Sequence, residues 1–131
     1  MESLTDLVET YVNAWNHDDP AQRRRLLVPI WAGNAAFTDP RTTINGLDAV
    51  LNHISATRAA RPTPQRLVRT SDVAIHDHPH PGPFHFTWEL RSDDERDLCI
   101  TEGVALGERD ADGHISTMHH GPVAHHPDPG P

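Results

Sequence analysis

The chain has 131 residues, 36% hydrophobic and 23% charged, which fits one globular domain and leaves no room for a second. Nineteen acidic residues against eleven basic ones, all arginine, give a formal charge of −8, so there is no basic surface to hold a phosphate backbone and no nucleic-acid partner is expected. The single Cys99 cannot close an internal disulfide, no apolar run nears the roughly 18 residues of a membrane span, and MESLTDLVET lacks the basic-then-apolar pattern of a signal peptide. These features lead us to expect a cytoplasmic protein with no membrane partner.

In chain order, Leu4, Leu7, Val8, Tyr11, Val12 and Trp15 fall at helical spacing with one apolar face, and Ser3 with Asp6 resembles a capping box, so a first helix is expected over about 3–17. Asp19 before Pro20 is an N-cap followed by a first-turn proline, which starts a second helix. Its Arg23, Arg24 and Arg25 are expected on a solvated face beside buried Leu26, Leu27, Ile30 and Trp31, with Pro29 kinking or ending it. Ala35 to Thr38 is a short strand stopped by Asp39-Pro40. A loop then passes through Asn45-Gly46 into a third helix with Leu47, Val50, Leu51 and Ile54, which ends before Pro62.

From there the period changes to that of strands, over Leu67 to Ile75, Phe84 to Leu90, Asp97 to Leu106 and His114 to His119. Turn chemistry separates them at His78 to Pro83, Ser92 to Glu95 and Asp110 to Gly113. Helices first and strands second argue an α+β domain over 1–120, with about three N-terminal helices packed on one face of a strongly curved, mostly antiparallel sheet. Residues 121–131, rich in Pro and His, have little to bury and are expected to form a flexible tail without function.

Such a sheet and its helices make a cone, and unusual residues gather at its mouth: Tyr11, Trp15, Trp31, Phe37, Asp39 and Trp88. The stretch Tyr11-Val-Asn-Ala-Trp-Asn-His-Asp-Asp, Trp31 to Asp39-Pro40, Gly46-Leu-Asp-Ala-Val-Leu-Asn-His-Ile and Asp112-Gly-His-Ile together resemble the NTF2-like superfamily over about residues 4–120. Within it, the SnoaL-like polyketide cyclases and the ketosteroid isomerases are the nearest branches. The resemblance implies the NTF2-like cone, a homodimer through the outer face of the sheet, and no cofactor or metal. It also implies a small hydrophobic carbonyl compound as substrate, from which a proton is taken next to the carbonyl. This scaffold hosts several chemistries, so epoxide opening and a non-catalytic ligand-binding or dimerisation module stand as alternatives.

Asp39 ends a strand among aromatics that would desolvate it, and desolvation raises a carboxylate's proton affinity, as a carbon-acid base requires. The matching aspartate of the isomerases is the general base, a pattern described for ketosteroid isomerase. Asp39 could equally cap the turn that follows. Tyr11 falls where the isomerases carry the tyrosine that donates to the enolate, and it is also an apolar-face core position. The third isomerase residue, an acid on a late strand, aligns with Ala105; an inserted turn would bring Glu102 there instead, on the opposite strand face.

His120, or its neighbour His119, is a further acid–base candidate near the mouth. Trp15, Trp31, Phe37, Trp88 and Met118 are expected to form the walls for a flat or polycyclic ligand. His76, His78 and His80 alternate as three metal ligands would, but prolines break the spacing and no native metal site is expected. His85 is expected to face away from the pocket, and Cys99 to be inert.

Overall fold

The computed structural model describes residues 4–61, 64–75, 83–94 and 96–122. The helices are α1 (Leu4–Asn16), α2 (Pro20–Leu27) and α3 (Leu47–Ala59); the strands are β1 (Trp31–Asp39), β2 (Thr42–Asn45), β3 (Gln65–Arg69), β4 (Ala74–Ile75), β5 (Phe84–Ser92), β6 (Cys99–Arg109) and β7 (Ile115–Pro122). Seven strands form one sheet, in the order β2-β1-β7-β6-β5-β3, with β4 off this path and paired with β5. Neighbours run antiparallel except β1 and β7, which are parallel. The architecture is the expected α+β cone of three helices on a curved sheet.

The apolar face of α1 is buried through Leu7, Val8, Tyr11, Val12 and Trp15. Asp19 caps α2 by accepting the Ala21 N–H at 3.0 Å, with Pro20 in the first turn, as its sequence implies. That helix stops at Leu27, two residues before Pro29, which was expected to kink or end it. Pro29 offers no N–H to a helix, so Val28-Pro29-Ile30 turn and Trp31 opens β1, four residues before the expected strand start. The expected loop after Pro40 contains β2, in which Thr42, Thr43 and Ile44 pair back on β1. Three consecutive β-branched residues between two turn signals favour that hairpin.

The long strand expected over Leu67 to Ile75 divides into β3 and β4. Between them the Thr70 N–H donates to the Thr87 carbonyl and the Ser71 hydroxyl accepts the Thr87 N–H, so a bulged loop replaces regular pairing. Arg23, expected on a solvated face, is 4% exposed. Its guanidinium donates to the His17 carbonyl and to the Ser55 hydroxyl, both at 2.7 Å, tying α2 to the end of α1 and to α3. Arg24 and Arg25 are exposed as expected.

Small residues on the inner face of β6 let the cone close. A Cβ on Gly103 would overlap the Trp88 ring and the Gly121 carbonyl, and one on Gly107 would overlap the Phe84 ring, while Ala105 between them is fully buried. Large aromatics of β5 occupy the space that this strand vacates. At the free edge of the sheet, Asn16 at the end of α1 donates to the Leu67 carbonyl at 2.7 Å and accepts the Leu67 N–H at 2.6 Å. One side-chain amide thus satisfies both outward backbone groups of an edge residue.

His76, His78 and His80 lie outside the described residues, as do Met1 to Ser3 and 123–131. Strand β7 continues through Gly121 and Pro122, two residues into the segment assigned to the tail. Among the described residues no helix is long and apolar enough to cross a membrane.

Candidate active site

The helices and the concave sheet face enclose a cavity of about 730 Å³. Its floor is made by buried Trp15, Phe37, Leu67 and His120, and exposed Arg41, Ala60 and Thr101 mark its rim. Strand alternation sets what faces inward. On β1, Phe37 and Asp39 point one way and Thr38 the other; on β7, Met118 and His120 point inward and His119 outward, where its ring meets the Thr38 hydroxyl at 2.6 Å. The parallel register pairs Phe37 with Met118 and Thr38 with His119, and its continuation brings Asp39 level with His120. Ala105 pairs with both Phe86 and His120.

This register settles the question left open on β6. Ala105 is on the concave face directly opposite His120, and Glu102, at odd separation from it, is on the other face beside Glu89 and Cys99. Where the resemblance implies an acid, this chain has an alanine with an imidazole reaching over it from the next strand.

Asp39 lines the cavity. Its Oδ1 accepts the Arg41 and Thr42 N–H groups at 2.8 and 2.9 Å, so it does cap the turn. Its Oδ2 is left over and lies 3.7 Å from the His53 Nε2. Turn capping and a site role therefore use different oxygens of one carboxylate, and the backbone contacts hold the carboxylate plane in place.

His120 sits among aromatic rings, with centroids at 5.1 Å from Phe37, 5.6 Å from Trp88, 5.7 Å from Tyr11 and 5.9 Å from Trp15. Burial there pushes its pKa down to about 3, against a smaller opposite pull from the Asp39 charge. The ring is therefore neutral at ordinary pH. Its Nε2 is 2.8 Å from the Tyr11 hydroxyl. Burial raises the Tyr11 pKa far above its usual range, and the nearby Trp15 indole, which falls short of a regular hydrogen bond, offsets this only slightly.

Of the residues expected at the site, the cavity brings together Asp39, His120, Trp15, Phe37 and Trp88. Tyr11, Trp31 and Met118 do not line it. Tyr11 is wholly buried behind His120, Trp31 stacks on Tyr11 at 6.1 Å between ring centroids, and Met118 is 1% exposed. They form the layer behind the wall. His85 lies on the opposite face of β5 from Phe84 and Phe86, away from the cavity, and Cys99 is exposed with its thiol pKa raised, chiefly by desolvation.

The sequence reading missed the contribution of α3. His53 and Thr57 of α3 line the cavity from one face at i and i+4, joined by Ala60 and Arg61 just past its end. The His53 ring packs 5.3 Å from Phe37 and 6.1 Å edge-on to Trp15. The spacing was readable as a polar stripe beside the apolar one of Val50, Leu51 and Ile54.

No family model and no curated protein matches the sequence. Solved structures do match its fold. A candidate isomerase of the SnoaL-like family from Agrobacterium tumefaciens C58 superposes with a TM-score of 0.79 at 24% identity, over 90% of this chain and 95% of that one. A candidate polyketide cyclase from Sinorhizobium meliloti gives 0.65 at 14% identity, over 88% and 93%. A candidate ketosteroid isomerase from Kribbella flavida gives 0.65 at 20% identity, over 95% and 81%. The chain has the NTF2-like fold, the scaffold shared by SnoaL-like, polyketide cyclase-like and ketosteroid isomerase-like proteins.

Proposed function

We propose that this protein is a cofactor-independent acid–base enzyme acting on a small, largely apolar carbonyl compound, of the isomerase or cyclase kind. The observation that carries this reading is the split carboxylate of Asp39: one oxygen is fixed by two backbone N–H groups while the other makes no hydrogen bond, lies 3.7 Å from His53 Nε2, and belongs to a residue lining a cavity large enough for a small ligand. Oδ2 takes the proton from the carbon next to the substrate carbonyl and returns it to another carbon. A single base suffices for that exchange, and Asp39 is the one carboxylate among the described residues that line the cavity. Epoxide opening by a pair of carboxylates finds no second partner there.

The enolate oxygen requires a neutral donor that is in place before charge develops. His120 supplies it. A protonated Tyr11 phenol spends its hydrogen on Nε2, which puts the imidazole's own proton on Nδ1. Tyr11 is then a positioning residue that acts through His120, in place of the direct enolate contact implied by the resemblance. The open cavity favours an enzyme over a module whose cone is filled by its own side chains.

The test is exchange of α-protons into D2O for a panel of small cyclic and aryl ketones, followed by NMR. The wild type should accelerate exchange for members that fit, and Asp39→Asn should abolish it with an almost unchanged melting temperature, because asparagine keeps the Oδ1 that caps the turn. Wild-type exchange rates in Asp39→Asn would remove Asp39 as the base. No acceleration for any ketone would leave the binding module.

A further inference from the structure

Six of the eleven arginines are ion-paired with carboxylates on the surface: Arg24, Arg58, Arg66, Arg69, Arg91 and Arg96. With nineteen acids available, most of the guanidiniums find one, and among the described residues Arg25 and Arg109 outside the Asp39 cavity do not. Arg41 and Arg61 have no carboxylate or other side-chain partner among the described residues, and both line the cavity that holds Asp39. Arg41 follows Asp39 by two residues, yet only its backbone N–H engages that carboxylate. Burial and the neighbouring Arg58 both disfavour the charge on Arg61 and lower its pKa.

Both charges belong to the less buried part of the lining. The cavity grades from a buried aromatic floor to an open rim, and Arg41 is exposed at that rim while Arg61 is half-buried at the end of α3. The lining thus carries two guanidiniums against the one carboxylate of Asp39. An apolar body with a terminal anion satisfies both ends at once. Its hydrocarbon part fills the floor, and its charge stays at the rim where desolvation costs little and a charge-assisted hydrogen bond to arginine remains available.

We propose that the ligand of this cavity is a keto acid: an apolar carbonyl compound ending in a carboxylate, which Arg41 and Arg61 hold at the rim. The place of its carbonyl near Asp39 and His120 rests on the acid–base reading above; the place of its carboxylate does not. Arg41 and Arg61 are specificity residues in this scheme and take no part in moving the proton.

The experiment compares 4-benzoylbutanoate with its uncharged primary amide by titration calorimetry. Wild type should bind the acid at least about tenfold more tightly than the amide, as a pair of partly desolvated charge-assisted hydrogen bonds implies. Arg61→Gln and Arg41→Gln should each shrink that preference, and the double variant should abolish it while leaving affinity for the amide within about twofold. Equal binding of acid and amide, no measurable binding of the acid at millimolar concentration, or a preference that survives in the double variant would each overturn the proposal. Asp39→Asn separates the two readings. It should keep or strengthen binding of the acid, so loss of proton exchange with the acid preference intact bears on catalysis alone, and exchange without an acid preference refutes only the anion site.

Discussion

Lowering the pH should destabilise this protein through His120, by an amount that the burial of its ring sets. The imidazole titrates at its ordinary value of 6.5 in the unfolded chain and at about 3 in the fold. Between those values the unfolded chain binds a proton at this site and the folded one does not. Stability therefore falls as pH falls through that window, and is flat in this respect above the ordinary value and below the depressed one. The slope inside the window approaches about 1.4 kcal/mol per pH unit, and the loss from about pH 7.5 to about pH 5 amounts to roughly 2 kcal/mol. That is a sizeable part of a domain stability of about 5 to 15 kcal/mol.

Urea unfolding followed by tryptophan fluorescence across that range measures it, with His120→Gln as reference, since an amide can still accept from Tyr11 without titrating. The wild type should lose about 2 kcal/mol more than the variant over the interval. Ten other histidines contribute equally to both proteins and cancel. Parallel pH profiles for the two would show that the folded protein protonates His120 readily, which would refute the neutral donor and with it the role given to Tyr11.

Two further substitutions test how the cavity walls are held. Gly103→Ala places a methyl group against the Trp88 ring and the Gly121 carbonyl, and because the backbone cannot yield as a side-chain end can, about 1 to 3 kcal/mol should be lost, visible as a drop of several degrees in melting temperature. An unchanged melting temperature would show that β6 and β7 are not in close contact there. Asn16→Ala removes both bonds to Leu67 at once, and should cost about 1 to 3 kcal/mol and speed amide exchange at Leu67 at least tenfold, measured by hydrogen-exchange NMR; unaltered exchange would refute the clamp.

What was readable in the sequence was local. The face of α1, the Asp19 cap and the alternation of Phe84 with Phe86 depend on neighbours within a turn or a strand pair, and those elements are where the spacing put them. Asp39 was found because a strand end, a proline and aromatics are adjacent in the chain. Most differences at the site came from partners far away. Arg23 reads as one of three solvated arginines until Ser55, 32 residues on, takes its guanidinium. His119 and His120 could not be ranked until the pairing of Ala105 with His120 put one on each face of the sheet. His53 and Arg61 are hard to see in the sequence because a cavity lined by a helix needs polar residues beside the apolar stripe, and by spacing alone these look like a solvated face.

The Asn16 clamp is one of a set. An empty volume in the middle of a small domain removes the side-chain contacts that would otherwise join the elements around it, so those elements must be tied at their ends. Asn16 fastens α1 to β3, Arg58 of α3 donates to the Trp15 carbonyl at 3.0 Å and pairs with Asp18, and Arg23 bridges α1, α2 and α3. Every one of these ties joins backbone or side-chain polar groups, and none depends on what occupies the hollow they surround. Asn16, Asp18, Arg23 and Arg58 are not among the residues that line the hollow, so a substitution that alters the fit of a guest need not touch the fasteners.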